Sequence, residues 1–340
     1  MKFAKGLVYV GIALLVSCST SEQASVEESA SANAENQAAD AKSQEPPESS
    51  VVSNLNVNSI ALPKYDGAGG MIVSICADGG PTYQDVELYD GTLGPTKKFV
   101  ADNEVNTLQL QWLSSAEIER SPGVIAGDVA NQRWCTGALI ENNLLLTAAH
   151  CVQPGTNDWR TPYRINPDTG QGELISASEL TPMMKVNFGY QVDKTSGNIK
   201  AGNSYPIVQL VEYGFELPSH YDFALIEIGR NSEGKLPSEN GELVKKVSGK
   251  QFSDGDEITI IQHPSGKPKK IESGTILTTW NGRLYYQDLD TESGSSGSSI
   301  VNSSGEIIGV HTNGGCAPGQ SNQANAGYDI NAIIKESSKL

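Results

Sequence analysis

The stretch that decides the fold is LLLTAAHC, residues 144–151, in which an apolar run ends at a histidine followed by a cysteine. Sixteen residues before Cys151, Cys135 opens another strand-like run, so a bridge between these cysteines would close a hairpin directly beside His150. In the chain-entropy model, closing a loop of this size stabilises the fold by roughly 3 kcal/mol. The pattern predicts two adjacent strands with His150 held at the end of the second.

Short apolar runs separated by glycine, proline, asparagine and aspartate clusters continue on both sides of this stretch. Runs this short, at such spacing, indicate an all-β sandwich or pair of barrels and argue against alternating β–α units. A helix is expected only near the end of the chain, at 330–335, where isoleucines fall near helical spacing. The candidate strands are 124–126, 137–140, 144–146, 186–188, 206–208, 223–226, 258–261 and 307–310.

A carboxylate heads one of these runs, in Tyr221-Asp222-Phe223-Ala224. A buried aspartate at this point would accept a hydrogen bond from an imidazole and fix its tautomer. For such a position taken alone, a turn aspartate that caps a strand is the more common alternative. The histidine at position 150 favours the first interpretation.

A glycine-flanked serine follows in Gly294-Ser295-Ser296-Gly297-Ser298. The glycines permit a tight turn in which the amides of Gly294 and Ser296 would point at one oxygen. Gly-Ser tracts are usually linkers. Here, however, strand-like runs follow at 299–301 and 306–311, and a linker would not stand between such runs.

Acyl transfer from a peptide needs a nucleophile, a base, a group that orients the base, and donors for the oxyanion. Ser296, His150 and Asp222 would supply the first three. With TAAHC, DFALIEI and GSSGS in this order, the sequence resembles the chymotrypsin-like serine proteases over about residues 118–335. That resemblance implies an all-β fold of two six-stranded antiparallel barrels, with the active site in the cleft between them.

The resemblance extends to the bacterial glutamyl endopeptidases, whose nucleophile and pocket segments are similar to 288–296 and 309–315. In those enzymes a threonine or serine five residues before the nucleophile and a histidine fifteen after it bind the substrate carboxylate. Thr291 and His311 fit both offsets, which implies cleavage after Glu or Asp. The alternative is that His311 is only a packed strand residue beside a turn.

Two positions near the nucleophile depart from the family pattern. Ser295 stands where digestive members have an aspartate that pairs with a freed N-terminus, so activation by that salt bridge is not expected here. Ser299 stands where proline is common, which we interpret as a minor change on the strand.

The N-terminus has the features of an exported lipoprotein. A basic start precedes an apolar run at 6–16, which is too short to cross a bilayer permanently. The run ends in Leu15-Val16-Ser17-Cys18, which resembles the bacterial lipobox. This implies a signal peptide at 1–17, a lipidated Cys18, and attachment to the outer membrane or surface of the bacterial cell envelope. An ordinary signal peptide is the alternative.

Composition divides the rest of the chain. Residues 18–58 are rich in Ser, Ala and Glu and nearly lack large apolar side chains, which predicts a disordered tether. Residues 59–117 are interpreted as an N-terminal extension or propeptide, and 118–340 as the protease domain. The formal net charge of −16, partly carried by the tether, argues against a nucleic-acid partner.

The chain has five cysteines, and a lipidated Cys18 leaves four. An even number in an exported chain predicts two disulfides, for which three pairings are open. If Cys135 pairs with Cys151, Cys76 and Cys316 would pair by elimination. Histidines and cysteines show no metal-ligand spacing, so we expect no metal and no cofactor.

The predicted function is that of a serine endopeptidase, a monomer that acts on protein or peptide substrates. The alternatives are a catalytically silent binding or scaffold protein on the same fold, and a structural lipoprotein with fortuitous motifs. The two remaining histidines stand in turn or loop sequences and are interpreted as structural: His220 and His263.

Overall fold

The computed structural model describes residues 73–76, 78–89, 106–155, 160–242, 247–316 and 323–340. The predicted signal peptide at 1–17, the tether at 18–58 and the lipidation site at Cys18 lie outside these ranges. Within the described ranges, no helix has the length and apolarity that crossing a bilayer would require.

Six strands form a closed antiparallel barrel: β3 (Thr107–Trp112), β5 (Arg133–Ile140), β6 (Leu144–Thr147), β9 (Met184–Phe188), β10 (Asn203–Tyr213) and β11 (Ala224–Ile228). Their order around the barrel is β10-β11-β6-β5-β3-β9. The barrel confirms the predicted all-β class. It also includes a strand, β3, that lies before residue 118, so part of the predicted N-terminal extension belongs to this fold.

Strand β6 explains why the chain is apolar without alternation at 144–146. Successive side chains of a strand point to opposite faces. Leu145 packs into the core of the barrel, whereas Leu146 packs into a second cluster shared with the neighbouring sheet. Because both faces of β6 are covered, neither face selects polar residues.

Eight strands form the second antiparallel sheet: β2 (Gln84–Asp85), β12 (Glu257–Gln262), β13 (Lys270–Thr275), β14 (Thr278–Trp280), β15 (Arg283–Tyr286), β17 (Ser299–Asn302), β18 (Ile307–Asn313) and β19 (Asn325–Asp329). Their order is β14-β15-β19-β18-β17-β12-β13-β2. This sheet is a half-barrel, where the family resemblance implied a second six-stranded barrel. The difference includes β2, which adds to one edge from the N-terminal segment.

Two smaller sheets complete the strands. β1 (Val73–Ser74) pairs with β16 (Thr291–Glu292), and β4 (Val124–Ile125) continues into β7 (Tyr163–Ile165) and β8 (Gly172–Leu174). The first of these pairs matters for function, because it joins the N-terminal segment to the chain just before the glycine-serine turn.

The predicted C-terminal helix is present at Ile330–Glu336, and Asp329 caps it by accepting a hydrogen bond from the Asn331 N–H. The expectation of no other helix is wrong. One-turn helices occur at Ser115–Ile118 and Ala177–Leu180. Each begins with a serine three residues before a glutamate, and this reciprocal cap stabilises a turn too short to show helical periodicity.

Candidate active site

His150 and Asp222 meet because their strands are neighbours. His150 lies in a short helical turn after β6, and Asp222 lies two residues before β11. The two strands pair antiparallel, with Thr147 opposite Ala224. Asp222 Oδ2 lies 2.7 Å from His150 Nδ1, and its Oδ1 accepts the His150 backbone N–H at 2.9 Å. The buried carboxylate therefore fixes both the ring and the backbone of the histidine.

A disulfide holds this turn from the other side. Cys151 is bonded to Cys135, 16 residues earlier in β5. The His150 side chain remains 12% exposed, while that of Asp222 is 8% exposed. The ring therefore reaches solvent from a backbone that is fixed on two sides. The Cys135 and Cys151 sulfurs also cluster with His150. They are bonded to each other, so they are not thiolates that could bind a metal.

The Gly294–Ser298 turn lies where the barrel meets the second sheet. The Ser296 carbonyl accepts the Thr136 N–H of β5 at 2.9 Å, and Gly297 N donates to the His311 carbonyl of β18 at 2.8 Å. Ser295 and Ser298 are buried, whereas Ser296 is only half-buried. Backbone bonds to both sheets thus present Ser296 beside the turn that carries His150.

The two glycines of this turn are required by space as well as by conformation. Gly297 has φ +85°, and a Cβ there would lie 2.2 Å from the Thr136 carbonyl oxygen. Gly294 has φ +98°, and a Cβ would lie 2.7 Å from the His263 carbonyl oxygen. Any side chain would push the turn away from the backbone on which it rests, so glycine is the residue that fits.

The backbone amides of Gly294 and Ser296 flank the turn. Neither donates a hydrogen bond to any residue in the ranges that the structure describes. The carbonyl oxygen of Gly294 accepts the Thr136 hydroxyl at 2.7 Å, which fixes the orientation of this part of the turn. The predicted oxyanion donors therefore lie on a turn held in one conformation.

The serine that replaces the family aspartate has a local role. Ser295 Oγ accepts the Glu292 N–H at 3.2 Å, and the Ser295 carbonyl accepts the Ser298 hydroxyl at 2.6 Å. These bonds close the turn within a few residues. The nucleophile segment is thus held by its own side chains, without a distant N-terminus.

The two predicted pocket residues lie on opposite sides of this turn in sequence. Thr291 is buried in β16, with Ser74 as its strand partner, and His311 is buried in β18. Burial lowers the pKa of His311 to about 3, with a smaller contribution from the nearby His150. The Tyr286 hydroxyl of β15 lies 2.5 Å from His311 Nδ1. Burial also raises the pKa of Tyr286 well above its usual value.

The second disulfide joins Cys76 to Cys316, 240 residues apart, so both predicted disulfides are present. It lies beside β1, where the Ser74 hydroxyl oxygen accepts the Cys316 N–H at 2.8 Å. The Cys76 N–H is bound by Asp290 Oδ1 at 2.6 Å. The N-terminal segment is therefore fastened to the chain on both sides of the predicted pocket.

The remaining histidines have structural contacts. His263 is fully buried, stacks on Tyr190, and its Nδ1 lies 3.0 Å from the Lys267 carbonyl oxygen. Burial lowers its pKa to about 3, so the ring is neutral. His220 is exposed and its Nδ1 lies 2.6 Å from the Phe215 carbonyl oxygen. Neither is within the His150–Asp222 pair.

Three residues that sequence reasoning missed hold the site together. Thr136 supports the glycine-serine turn from β5, Tyr286 contacts His311, and Asn325 donates to the Leu289 carbonyl just before Thr291. The adjacency of Thr136 to Cys135 was the only local signal available. Nothing in the sequence separates Tyr286 from Tyr285.

Two antiparallel sheets with a histidine–aspartate pair on one and a glycine-flanked serine on the other define the chymotrypsin-like architecture. The family model described as a trypsin-like peptidase domain matches residues 135–310, and the chain belongs to this family. It is thus a hydrolase of the serine protease class. A solved structure described as a Glu endopeptidase in complex with MPD is 19% identical, with a TM-score of 0.45, over 76% of this chain and 94% of that one.

Proposed function

We propose that the protein is an endopeptidase in which Ser296 attacks the scissile carbonyl, His150 takes its proton, and Asp222 orients His150. The observation that carries this proposal is the double engagement of Asp222 with the ring and the backbone of His150. An acceptor on Nδ1 places the ring proton there and leaves Nε2 as the basic nitrogen.

The oxyanion of the tetrahedral intermediate would be stabilised by the amides of Gly294 and Ser296. These donors are part of the backbone of a fixed turn, so they need no reorganisation when charge develops. The contacts of Thr136 with the Gly294 and Ser296 carbonyls support this role, since they hold the peptide planes on both sides of Ser295.

The proposed specificity is for Glu or Asp before the scissile bond. Thr291 offers a hydroxyl and His311 an imidazole, and both can donate to a carboxylate. The low pKa of His311 supports binding by neutral donors and not by a permanent charge. Such a pocket selects for acceptors on the substrate and against a second donor, which would leave buried groups unpaired.

The proposed location is the bacterial cell envelope, with the chain exported and anchored through a lipidated Cys18. The two disulfides support export, because such bonds persist in oxidising compartments and are rare in the cytosol. We propose that the anchored enzyme acts on proteins or peptides as a monomer.

The test combines active-site labelling with a cleavage profile. A fluorophosphonate probe is expected to label the wild-type chain, and Ser296→Ala is expected to lose both the label and all peptidase activity. Ser303→Ala, an exposed serine in the turn after β17, is the matched control and should be labelled normally. Label retained by Ser296→Ala would overturn the assignment. No label on the wild type would favour a silent scaffold on this fold.

The same wild-type preparation, digesting a defined peptide mixture, tests the specificity. Cleavage should be enriched after Glu and, to a lesser extent, after Asp. Activity without such enrichment would contradict the proposed pocket while leaving the triad intact.

A further inference from the structure

Tyr286 and His311 form a buried pair beneath the proposed pocket. The two side chains come from β15 and β18, which are separated in the second sheet by β19. Gly327 of β19 lies opposite His311 on one side and Leu284 on the other. Because glycine has no side chain, the sheet leaves room between β15 and β18 for the ring of Tyr286 to reach the imidazole.

The hydrogen-bond requirements of this pair assign its protons. Within the described part of the chain, His311 Nδ1 is the partner of the Tyr286 hydroxyl, and Tyr286 Oη is the partner of Nδ1. If Nδ1 carried the proton and donated to Oη, the buried hydroxyl would have no acceptor of its own. A buried donor left unpaired is costly. The arrangement that satisfies both groups has the hydroxyl donating to an unprotonated Nδ1.

We infer that Tyr286 is a positioning residue for substrate specificity, which holds His311 in the neutral tautomer that carries its proton on Nε2. The two groups keep their protons as this arrangement requires, because burial makes the phenol a weaker acid and the imidazole a weaker base. This inference rests on the proposed preference for Glu and adds the origin of its discrimination.

The tautomer decides how the pocket distinguishes Glu from Gln, which have nearly the same shape. With Nε2–H and the Thr291 hydroxyl both donating, the two oxygens of a carboxylate are matched. The amide of Gln would turn an N–H₂ group toward one of these donors. In the other tautomer, Nε2 would be an acceptor, and Gln would be accommodated.

The test uses Tyr286→Phe, which keeps the ring and removes the hydroxyl. Its expected effect is a fall of about tenfold in the Glu/Gln ratio of kcat/KM, the size associated with one hydrogen bond to a charged group. The fall should come from slower Glu cleavage with Gln cleavage unchanged or faster. A merely structural role would lower both substrates together.

Tyr285→Phe is the matched control, because its hydroxyl is buried without a partner in the described residues and it is adjacent in sequence. It should leave the Glu/Gln ratio at the wild-type value. An unchanged ratio in Tyr286→Phe, or the same loss in both variants, would overturn the inference.

A second measurement does not depend on activity. In Ser296→Ala protein labelled with ¹⁵N-histidine, the resonances of His311 are assigned by their loss in His311→Gln. We expect an unprotonated Nδ1 and a protonated Nε2 at neutral pH. The opposite pattern would overturn the inference even if the enzyme prefers Glu. If the wild type does not prefer Glu, the proposed specificity fails, and the ¹⁵N pattern alone decides the tautomer.

Discussion

His150 and His311 place the same side chain in opposite surroundings on the two sides of one cleft. His150 lies on the barrel side, partly exposed, with the Asp222 carboxylate on its Nδ1. His311 lies on the side of the second sheet, almost fully buried, with the Tyr286 hydroxyl on its Nδ1. An acceptor on Nδ1 makes Nε2 a base, and a donor on Nδ1 makes Nε2–H a donor. The partner of one nitrogen thus sets the chemistry of the other.

The largest expected effect comes from removing the acceptor on the barrel side. Asp222→Asn keeps the shape of the side chain and its contact with the His150 backbone N–H. It can present an N–H₂ group to Nδ1, which favours the unreactive tautomer. We expect kcat to fall about 10⁴-fold, as tautomer loss does in comparable triads. Steady-state kinetics on an ester or peptide substrate measure this effect.

An Asp222→Asn enzyme within tenfold of the wild type would show that the carboxylate does not orient the base. The control is Asp254→Asn, a carboxylate in the loop before β12 that has no contact with the site, and its kcat should be unchanged.

The two disulfides separate the two sides of the comparison at an intermediate size of effect. In the chain-entropy model the 16-residue Cys135–Cys151 loop contributes about 3 kcal/mol and the 240-residue Cys76–Cys316 loop about 5 kcal/mol. Replacing each pair by alanine should therefore cost more stability in the second case. Urea denaturation of both variants measures the free energies of unfolding.

Activity should follow the reverse order at temperatures where both variants are folded. Loss of Cys135–Cys151 frees the turn that carries His150 and should lower kcat for every substrate. Loss of Cys76–Cys316 loosens β1 against β16 and should mainly lower the Glu/Gln ratio. Equal effects of the two pairs on kcat would contradict a division of labour between the two sides.

The smallest expected effect concerns pH and the pocket side alone. Glu272 is buried, accepts the Asp290 N–H at 2.9 Å and contacts the Thr82 hydroxyl. Burial, with Asp290 and Asp288 nearby, raises its pKa to about 8. The folded chain therefore holds this proton more tightly than the unfolded chain does. Stability must fall as pH rises from the unfolded value near 4.5 to about 8.

Glu272→Gln removes this titration and keeps an oxygen for the Asp290 N–H. We expect its stability to be less dependent on pH between about 5 and 8, with a gain on the order of 2 kcal/mol at the upper end, since coupling with Asp290 reduces the full effect. Thermal unfolding at a series of pH values measures the difference. Parallel wild-type and variant profiles would contradict the assignment of this slope to Glu272.

The parts of the site that lie in local patterns could be predicted from the sequence. The apolar run before His150, the carboxylate at the head of β11 and the glycines around Ser296 are each contained within a few residues. The structure brings His150 and Asp222 together through the pairing of β6 with β11. The catalytic roles of these residues remain predictions.

The parts that depend on distant pairing could not be predicted. Strands β1 and β2 have two residues each, which is too short to show alternation, and they form by pairing with β16 and β13. The contribution of residues 59–117 to both sheets was missed for this reason. Tyr286 and Tyr285 look alike in sequence, and only the register of β15 against β19 decides which of them contacts His311.

The bond between Cys76 and Cys316 makes the chain between them a covalent ring. Both ends of most of the folded region meet at this one bond, and Cys135–Cys151 closes a smaller ring inside it. A single cut in any loop between 77 and 315 would therefore open the ring without dividing the molecule. An endopeptidase is exposed to cleavage by its own copies, and this topology lets a nicked molecule remain one covalent body with its cleft assembled.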